Sequence, residues 1–330
     1  MKILLYTGFL KLVEKSGIGR AIHHQQKALE DNNIPYTTDK KDSYDIIQLN
    51  TIFPDSVFFA LISKVRGKKI IYYAHSTMED FKNSFRGSNI IAPIFKRWIK
   101  FCYSLGDVII TPSEYSKNLL SGYNIKKPIL ALSNGIDLTY FYRDSEGAKR
   151  FREKYDLSDK EKVIVSVGHY MERKGIRDFI KLAKSMPEMT FIWFGYTNPS
   201  LVPHAIQNDI ATAPGNVKFP GYVCRDELRD AYSGSDLFLF LTHEETEGIV
   251  LLEALAMKIP ILIRDIPIYK KMFSDEKEVY KGKTIEEFKD KIIRILEHNL
   301  PSLQDSGYNL VKQKDIRKIG IQLKSIYESI

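Results

Sequence analysis

Cysteine is nearly missing from this 330-residue chain. Cys102 and Cys224 are the only two, far apart and without motif spacing, which excludes a disulfide scaffold and suits a reducing cytoplasm. No apolar run approaches the roughly eighteen residues that a membrane-spanning helix needs. No cluster of histidine, cysteine and carboxylate has metal-ligand spacing, so no metal is expected. Neither a Gly-x-Ser-x-Gly elbow nor a Walker phosphate loop is present. Short-period repeats and low-complexity runs are absent too. The opening segment Met1–Gly8 has too short an apolar run for a signal peptide and reads as a first buried strand.

What is present is the composition of a globular enzyme, 44% hydrophobic and 27% charged, at a length that allows two domains. The net charge of +8 is unevenly placed. Residues 1–150 hold 22 Lys/Arg against 14 Asp/Glu, whereas residues 151–330 hold 27 of each. Residues 64–127 alone hold 12 basic and 4 acidic side chains, so this one segment equals the whole excess. A field of one sign points to a polyanion, either nucleic acid or an anionic membrane surface. No nucleic-acid recognition module is found. Within the segment, Ile90–Phe101 interleaves Lys96, Arg97 and Lys100 with Phe95, Trp98 and Ile99, the pattern of a helix lying in a bilayer interface.

Strand-like and helix-like stretches alternate along the chain. Buried strands are expected over Lys2–Tyr6, Tyr44–Leu49, Lys69–Ala74, Asp107–Thr111 and Ile129–Ser133 in the first half. The second half offers Lys162–Val167, Thr190–Phe194, Asn216–Phe219, Leu237–Leu241 and Pro260–Ile263. Such alternation implies parallel βαβ units, and a turn-rich break at 134–146 separates two Rossmann-like series. The domains are expected over 1–137 and 138–310. An amphipathic tail at 311–330, bearing Ile316, Ile319, Ile321, Leu323, Ile326 and Tyr327, is expected to cross back onto the first.

Three motifs fall at strand ends, the ligand edge of an open α/β sheet. Glu245-Thr246-Glu247-Gly248-Ile249 follows a strand and opens a helix. It sets Glu245 in the loop and Glu253 about two turns into that helix, whose first backbone N–H groups are free to meet an anion. Gly168–Gly175 also joins strand to helix, and Arg173 and Lys174 there make an anion site suited to a diphosphate. His75 ends a strand and points toward the same edge. Ser16-Gly17-Ile18-Gly19-Arg20 is a poor dinucleotide fingerprint, because Ile22 stands where the third glycine belongs. As a loop whose backbone approaches a sugar or phosphate closely, it is consistent with the rest.

Taken in order, Ser16–Arg20, His75–Phe81, Asn134–Asp137, Gly168–Gly175 and the Glu245/Glu253 pair resemble the retaining GT-B-fold glycosyltransferases of family 4 over essentially the whole length. Ser16–Arg20, His75–Phe81, Asn83–Ser88, Glu172–Gly175 and Glu244–Leu255 are more closely similar to Gram-positive glycolipid synthases that build the diglycosyl-diacylglycerol anchor of lipoteichoic acid. The resemblance implies an α/β fold of two Rossmann-like domains across a cleft. It implies transfer of a hexose, galactose before glucose, from a UDP-sugar onto monoglucosyl-diacylglycerol with an α-linkage. The UDP-sugar is then a substrate, and no cofactor is implied.

By the same resemblance His75, Arg173, Lys174 and Glu245 are catalytic, Glu245 holding donor-sugar hydroxyls and Glu253 the ribose. Gly17, Gly19, Glu247, Gly248 and Ile249 complete the donor site. The arginine that family members carry directly after the first loop glycine is replaced by His169, with Arg173 as its candidate substitute. Lys96, Arg97, Trp98 and Lys100 are expected to meet the glycolipid acceptor at the inner face of the cell membrane. The alternatives are a sugar transferase of capsule or teichoic-acid synthesis and, in a different class, a sugar-nucleotide epimerase.

Overall fold

The computed structural model describes residues 1–9 and 14–330. Two sheets of six strands, every pairing parallel, form two domains with helices packed against both faces of each sheet. The first sheet contains β1 (Ile3–Tyr6), β2 (Tyr36–Thr37), β3 (Ile46–Leu49), β4 (Lys69–Tyr73), β5 (Val108–Thr111) and β6 (Ile129–Ala131) in the order β2-β1-β3-β4-β5-β6. The second contains β7 (Val163–Val167), β8 (Thr190–Phe194), β9 (Val217–Gly221), β10 (Leu237–Phe240), β11 (Ile261–Arg264) and β12 (Tyr280–Gly282) in the order β12-β11-β10-β7-β8-β9. That order reverses direction between β7 and β10, and the crevice beyond their carboxyl ends is where open α/β sheets bind ligands.

The central strands are apolar throughout because helices cover both faces. All five residues of β7 and all five of β8 are buried. The edge strands β2 and β12, of two and three residues, carry too little pattern to be expected from sequence. Each sheet separates two apolar clusters. In the first domain the face under helices Pro54–Val65 and Ser88–Ser104 holds Ile47, Tyr72, Ile99 and Cys102. The other face holds Ile3, Ile71 and Ile110, together with Ile319, Leu323 and Tyr327 from the end of the chain.

Those last three residues lie on helix Ile316–Glu328, which packs on helix Gly17–Asp31 of the first domain. The Tyr327 hydroxyl donates to Gln48 Oε1 at 2.6 Å. Gly320 lets the two helices close, since a Cβ there would stand 2.5 Å from the carbonyl of Ala28. The chain therefore passes between the domains twice, and the two crossings lie side by side. Ile136 and Asp315 form a parallel bridge, and the amide of Ile136 donates to the Lys314 carbonyl at 2.9 Å.

Candidate active site

A cavity of about 350 Å³ opens between the domains at the carboxyl ends of both sheets, large enough for a small organic ligand. Its second-domain wall comes from the loops after β7 and β10, the two strands that flank the switch point. Both loops depend on glycine. At Gly175, φ is +79°, and a Cβ would lie 2.2 Å from the Leu241 carbonyl, so only glycine lets the two loops meet. At Gly248, φ is +90°, and this residue starts helix Ile249–Ala256 with its N-terminus toward the cavity. The loops are further tied by the amide of His243, which donates to the Arg173 carbonyl at 2.6 Å.

Lys174 and Glu245 meet inside this cavity as a buried ion pair. Thr242 Oγ1 donates to the same carboxylate oxygen, Oε1, at 3.0 Å, while Oε2 has no hydrogen-bond partner among the described residues. Burial draws the Lys174 pKa downward, and the carboxylate opposes that shift. His75 enters from the opposite domain at the end of β4. It stacks on Tyr73 with ring centroids 4.9 Å apart, and its Nε2 lies 3.0 Å from Asn50 Oδ1. Burial pushes its pKa down to about 3, so the ring is neutral at physiological pH. Gly17, Gly248 and Ile249 also line the cavity.

Other expected residues stand elsewhere. The Glu247 carboxylate is 1% exposed and turns away from the cavity to the domain crossings. It accepts from Ser133 Oγ at 2.5 Å, from the amide and side chain of Asn134 at 2.9 Å each, and from Lys314 Nζ at 3.0 Å. One carboxylate thus pins both crossings to the loop after β10. A short acidic side chain beside a glycine turn follows the same local pattern whether it faces the ligand or the linker. Gly19 lies beneath the cavity wall, where a Cβ would stand 2.3 Å from the Glu14 carbonyl, so it serves close packing of its own loop. Glu253 is also behind the wall, 1% exposed, with Arg20 in front of it.

Arg173 lines the cavity but reaches across to the first domain. Its Nη1 pairs with Asp80 at 3.0 Å, its Nε donates to Ser84 Oγ at 2.7 Å, and its backbone amide donates to the Asn83 carbonyl at 3.1 Å. Sequence reasoning missed Asp80, whose partner comes from the other domain. Burial raises its pKa, with Arg173 opposing. His169 is held by its Nδ1, 2.7 Å from the Tyr196 carbonyl, and burial lowers its pKa.

On helix Ser88–Ser104, Trp98 turns inward, packs on the first-domain core and donates to the Ile52 carbonyl at 2.8 Å. Lys96 stacks over the Tyr123 ring at 4.3 Å. The outward face instead carries Ile90, Ile91, Ile94, Arg97 and Phe101, and Pro54–Val65 adds Phe58, Leu61 and Val65 on the same side of the sheet. The indole N–H explains the correction, because a tryptophan that finds a buried acceptor is more stable against the core than in solvent. No described helix is long and apolar enough to cross a membrane.

Residues 148–313 match the family model for glycosyl transferases group 1, and residues 36–140 match that for glycosyltransferase family 4. The chain belongs to this glycosyltransferase family. The group 1 match holds both loops of the cavity's second-domain wall. The whole chain is 42% identical to a processive diacylglycerol alpha-glucosyltransferase of Acholeplasma laidlawii, covering 98% of that protein. An alpha-galactosylglucosyldiacylglycerol synthase of Streptococcus pneumoniae is 26% identical over 76% of this chain and 67% of its own length. The structure of Anabaena HepE in complex with UDP-glucose superimposes over 100% of both chains with a TM-score of 0.78 at 16% identity, a likeness of fold. The glycosyltransferase fold is therefore GT-B, with Lys174, Glu245 and His75 at one cleft.

Proposed function

We propose that this glycosyltransferase moves a hexose from a UDP-sugar onto a glucosylated diacylglycerol with retention at the anomeric carbon. The observation that carries the reading is the convergence of Lys174 and Glu245 beside a helix N-terminus, facing a neutral His75 across the cleft. Glu245 takes hydroxyls of the donor sugar through its free Oε2, while Glu253, enclosed behind the wall, anchors Arg20. Lys174 and the N–H groups at Gly248 and Ile249 meet the charge that develops on the leaving diphosphate. Supplied in this way by the protein, that stabilisation requires no divalent ion. His75, uncharged, lies against the sugar without repelling those cations. The leaving diphosphate, rather than a carboxylate pair, deprotonates the incoming hydroxyl on the same face.

Glucose now stands ahead of galactose as the transferred sugar, since the relative matching over the full length is an alpha-glucosyltransferase. The acceptor's tails remain in an anionic leaflet on the inner face of the membrane, against the apolar and basic helices of the first domain. The enzyme, supplied with UDP-glucose or UDP-galactose and monoglucosyl-diacylglycerol in anionic liposomes, is expected to give an α-linked diglycosyl lipid, fastest with UDP-glucose and undiminished by a chelator. A β-linked product or loss of activity on chelation would refute the corresponding part. Transfer to a polyprenyl carrier instead would favour a polymer-building transferase.

A further inference from the structure

The cations around the cavity are unequally committed. Lys174 is paired with Glu245, and Arg173 is occupied by Asp80 and Ser84. His169 lies on the wall but adds no charge there, since its burial favours the neutral ring. Arg20 differs from all three. It sits in the first turn of helix Gly17–Asp31, whose start is capped by the Ser16 hydroxyl accepting from the Ile18 amide at 3.2 Å. From there it crosses to the second domain, where Nη1 alone donates to both oxygens of Glu253, at 2.6 and 2.7 Å. The Tyr232 hydroxyl donates to Oε2 of the same carboxylate at 3.0 Å.

A guanidinium carries five N–H donors in one rigid plane. Nη1 is the nitrogen engaged with Glu253, which leaves the three N–H groups of Nε and Nη2. Those three have no acceptor among the described residues, and the side chain keeps 18% of its surface at the cavity wall. An unengaged, planar set of N–H donors suits the oxygens of a diphosphate, which Arg binds with two parallel hydrogen bonds. Glu253 belongs to helix Ile249–Ala256, so the free edge of Arg20 lies near the N-terminus of that helix, itself favourable to an anion.

We propose that Arg20 is a donor-binding residue contributed by the first domain: Nη1 is anchored on the enclosed Glu253, and the free edge of the guanidinium binds the diphosphate of the nucleotide. This rests on the nucleotide-sugar reading above. Because Lys174 and Arg20 belong to opposite domains, the diphosphate clamp is complete only when the cleft is closed. Closure and stabilisation of the leaving charge are then one event.

The test compares UDP with uridine, which keeps the ribose and lacks the phosphates, by NMR titration of the full chain as wild type, Arg20→Gln and Arg20→Lys. Arg20→Gln is expected to weaken UDP at least tenfold more than uridine. Arg20→Lys, which keeps the charge and loses the fork, is expected to fall between and serves if the glutamine variant does not fold. Turnover should drop while the KM for glycolipid stays unchanged. Equal weakening of UDP and uridine would overturn the phosphate contact, leaving Arg20 to act only through Glu253. A lower melting temperature with unaltered UDP affinity would reduce it to a latch between domains and also overturn the proposal. Failure of the wild type to bind UDP would instead sink the nucleotide-sugar reading, whereas UDP binding that ignores Arg20 would sink this inference alone.

Discussion

In the first domain, residues 64–127 alone equal the chain's whole charge excess, and two helices leave seven large apolar side chains in solvent, among them Val65 at 91% and Ile90 at 84% exposure. Residues 151–330 are charge-balanced, and the second domain places its working ions inside, each with a named partner. Arg97 and Lys100 have no ion-pair partner among the described residues, whereas Lys174, Glu245 and Glu247 are each enclosed and paired. Under the function proposed above, the difference follows from what each domain meets. A small donor is recognised by a few charges fixed in a low-dielectric pocket, where each one acts strongly. An extended lipid surface is met by many exposed charges acting weakly, together with apolar area that leaves water.

The comparison breaks most visibly at Lys174. Lys174→Ala is expected to lower turnover at saturating UDP-hexose roughly 100- to 1,000-fold, with little effect on vesicle binding; a fall under tenfold would remove Lys174 from the chemistry. Glu247 sharpens the same contrast, because it is enclosed like Glu245 yet faces the linkers. Glu247→Ala should cost about 3 kcal/mol of stability, read from denaturant unfolding, since it strands Lys314 and the Asn134 amide. Lost activity with unchanged stability would return Glu247 to the donor site.

On the first domain, replacing Lys96, Arg97 and Lys100 by serine should weaken binding to anionic vesicles by about 1 kcal/mol per charge and flatten its salt dependence. Lys96 should contribute least, because it is engaged with Tyr123. Binding that is equally tight to neutral vesicles would argue that the apolar side chains alone dock the protein.

The smallest effect concerns Glu244, at the seam between the domains. Burial raises its pKa from 4.5 to about 7, and its Oε1 is buried without a partner. A carboxyl whose pKa is raised in the folded state keeps a proton that the unfolded chain has released. Stability therefore declines as pH rises from about 4.5 through about 7. Glu244→Gln should raise the melting temperature at pH 8 and leave it nearly unchanged at pH 4.5. An equal change at both values would show that the carboxyl titrates normally.

Much of the fold was legible because parallel strands covered on both faces leave dense apolar runs, and ten of the twelve strands coincide with such runs. The edge strands β2 and β12 did not, being too short for any period to register. At the site, Gly175, Gly248, Lys174 and Glu245 could be read because turn chemistry and strand ends are local features. Asp80 and the pairing of Arg20 with Glu253 could not, since each joins residues far apart in the chain. Trp98 shows the same limit on a surface. Helical spacing put it beside three cations, but a carbonyl from another loop decided which way it faces.

By itself the sequence determined two parallel α/β domains, the glycine turns that open the helices after β7 and β10, and a basic surface confined to the first half. These depend on period, local backbone geometry and composition. Only the tertiary structure decided which of three neighbouring carboxylates face the cavity, the linker or an arginine of the opposite domain. A side chain's partner is set by what the rest of the chain brings within about 3 Å, and no local pattern encodes that.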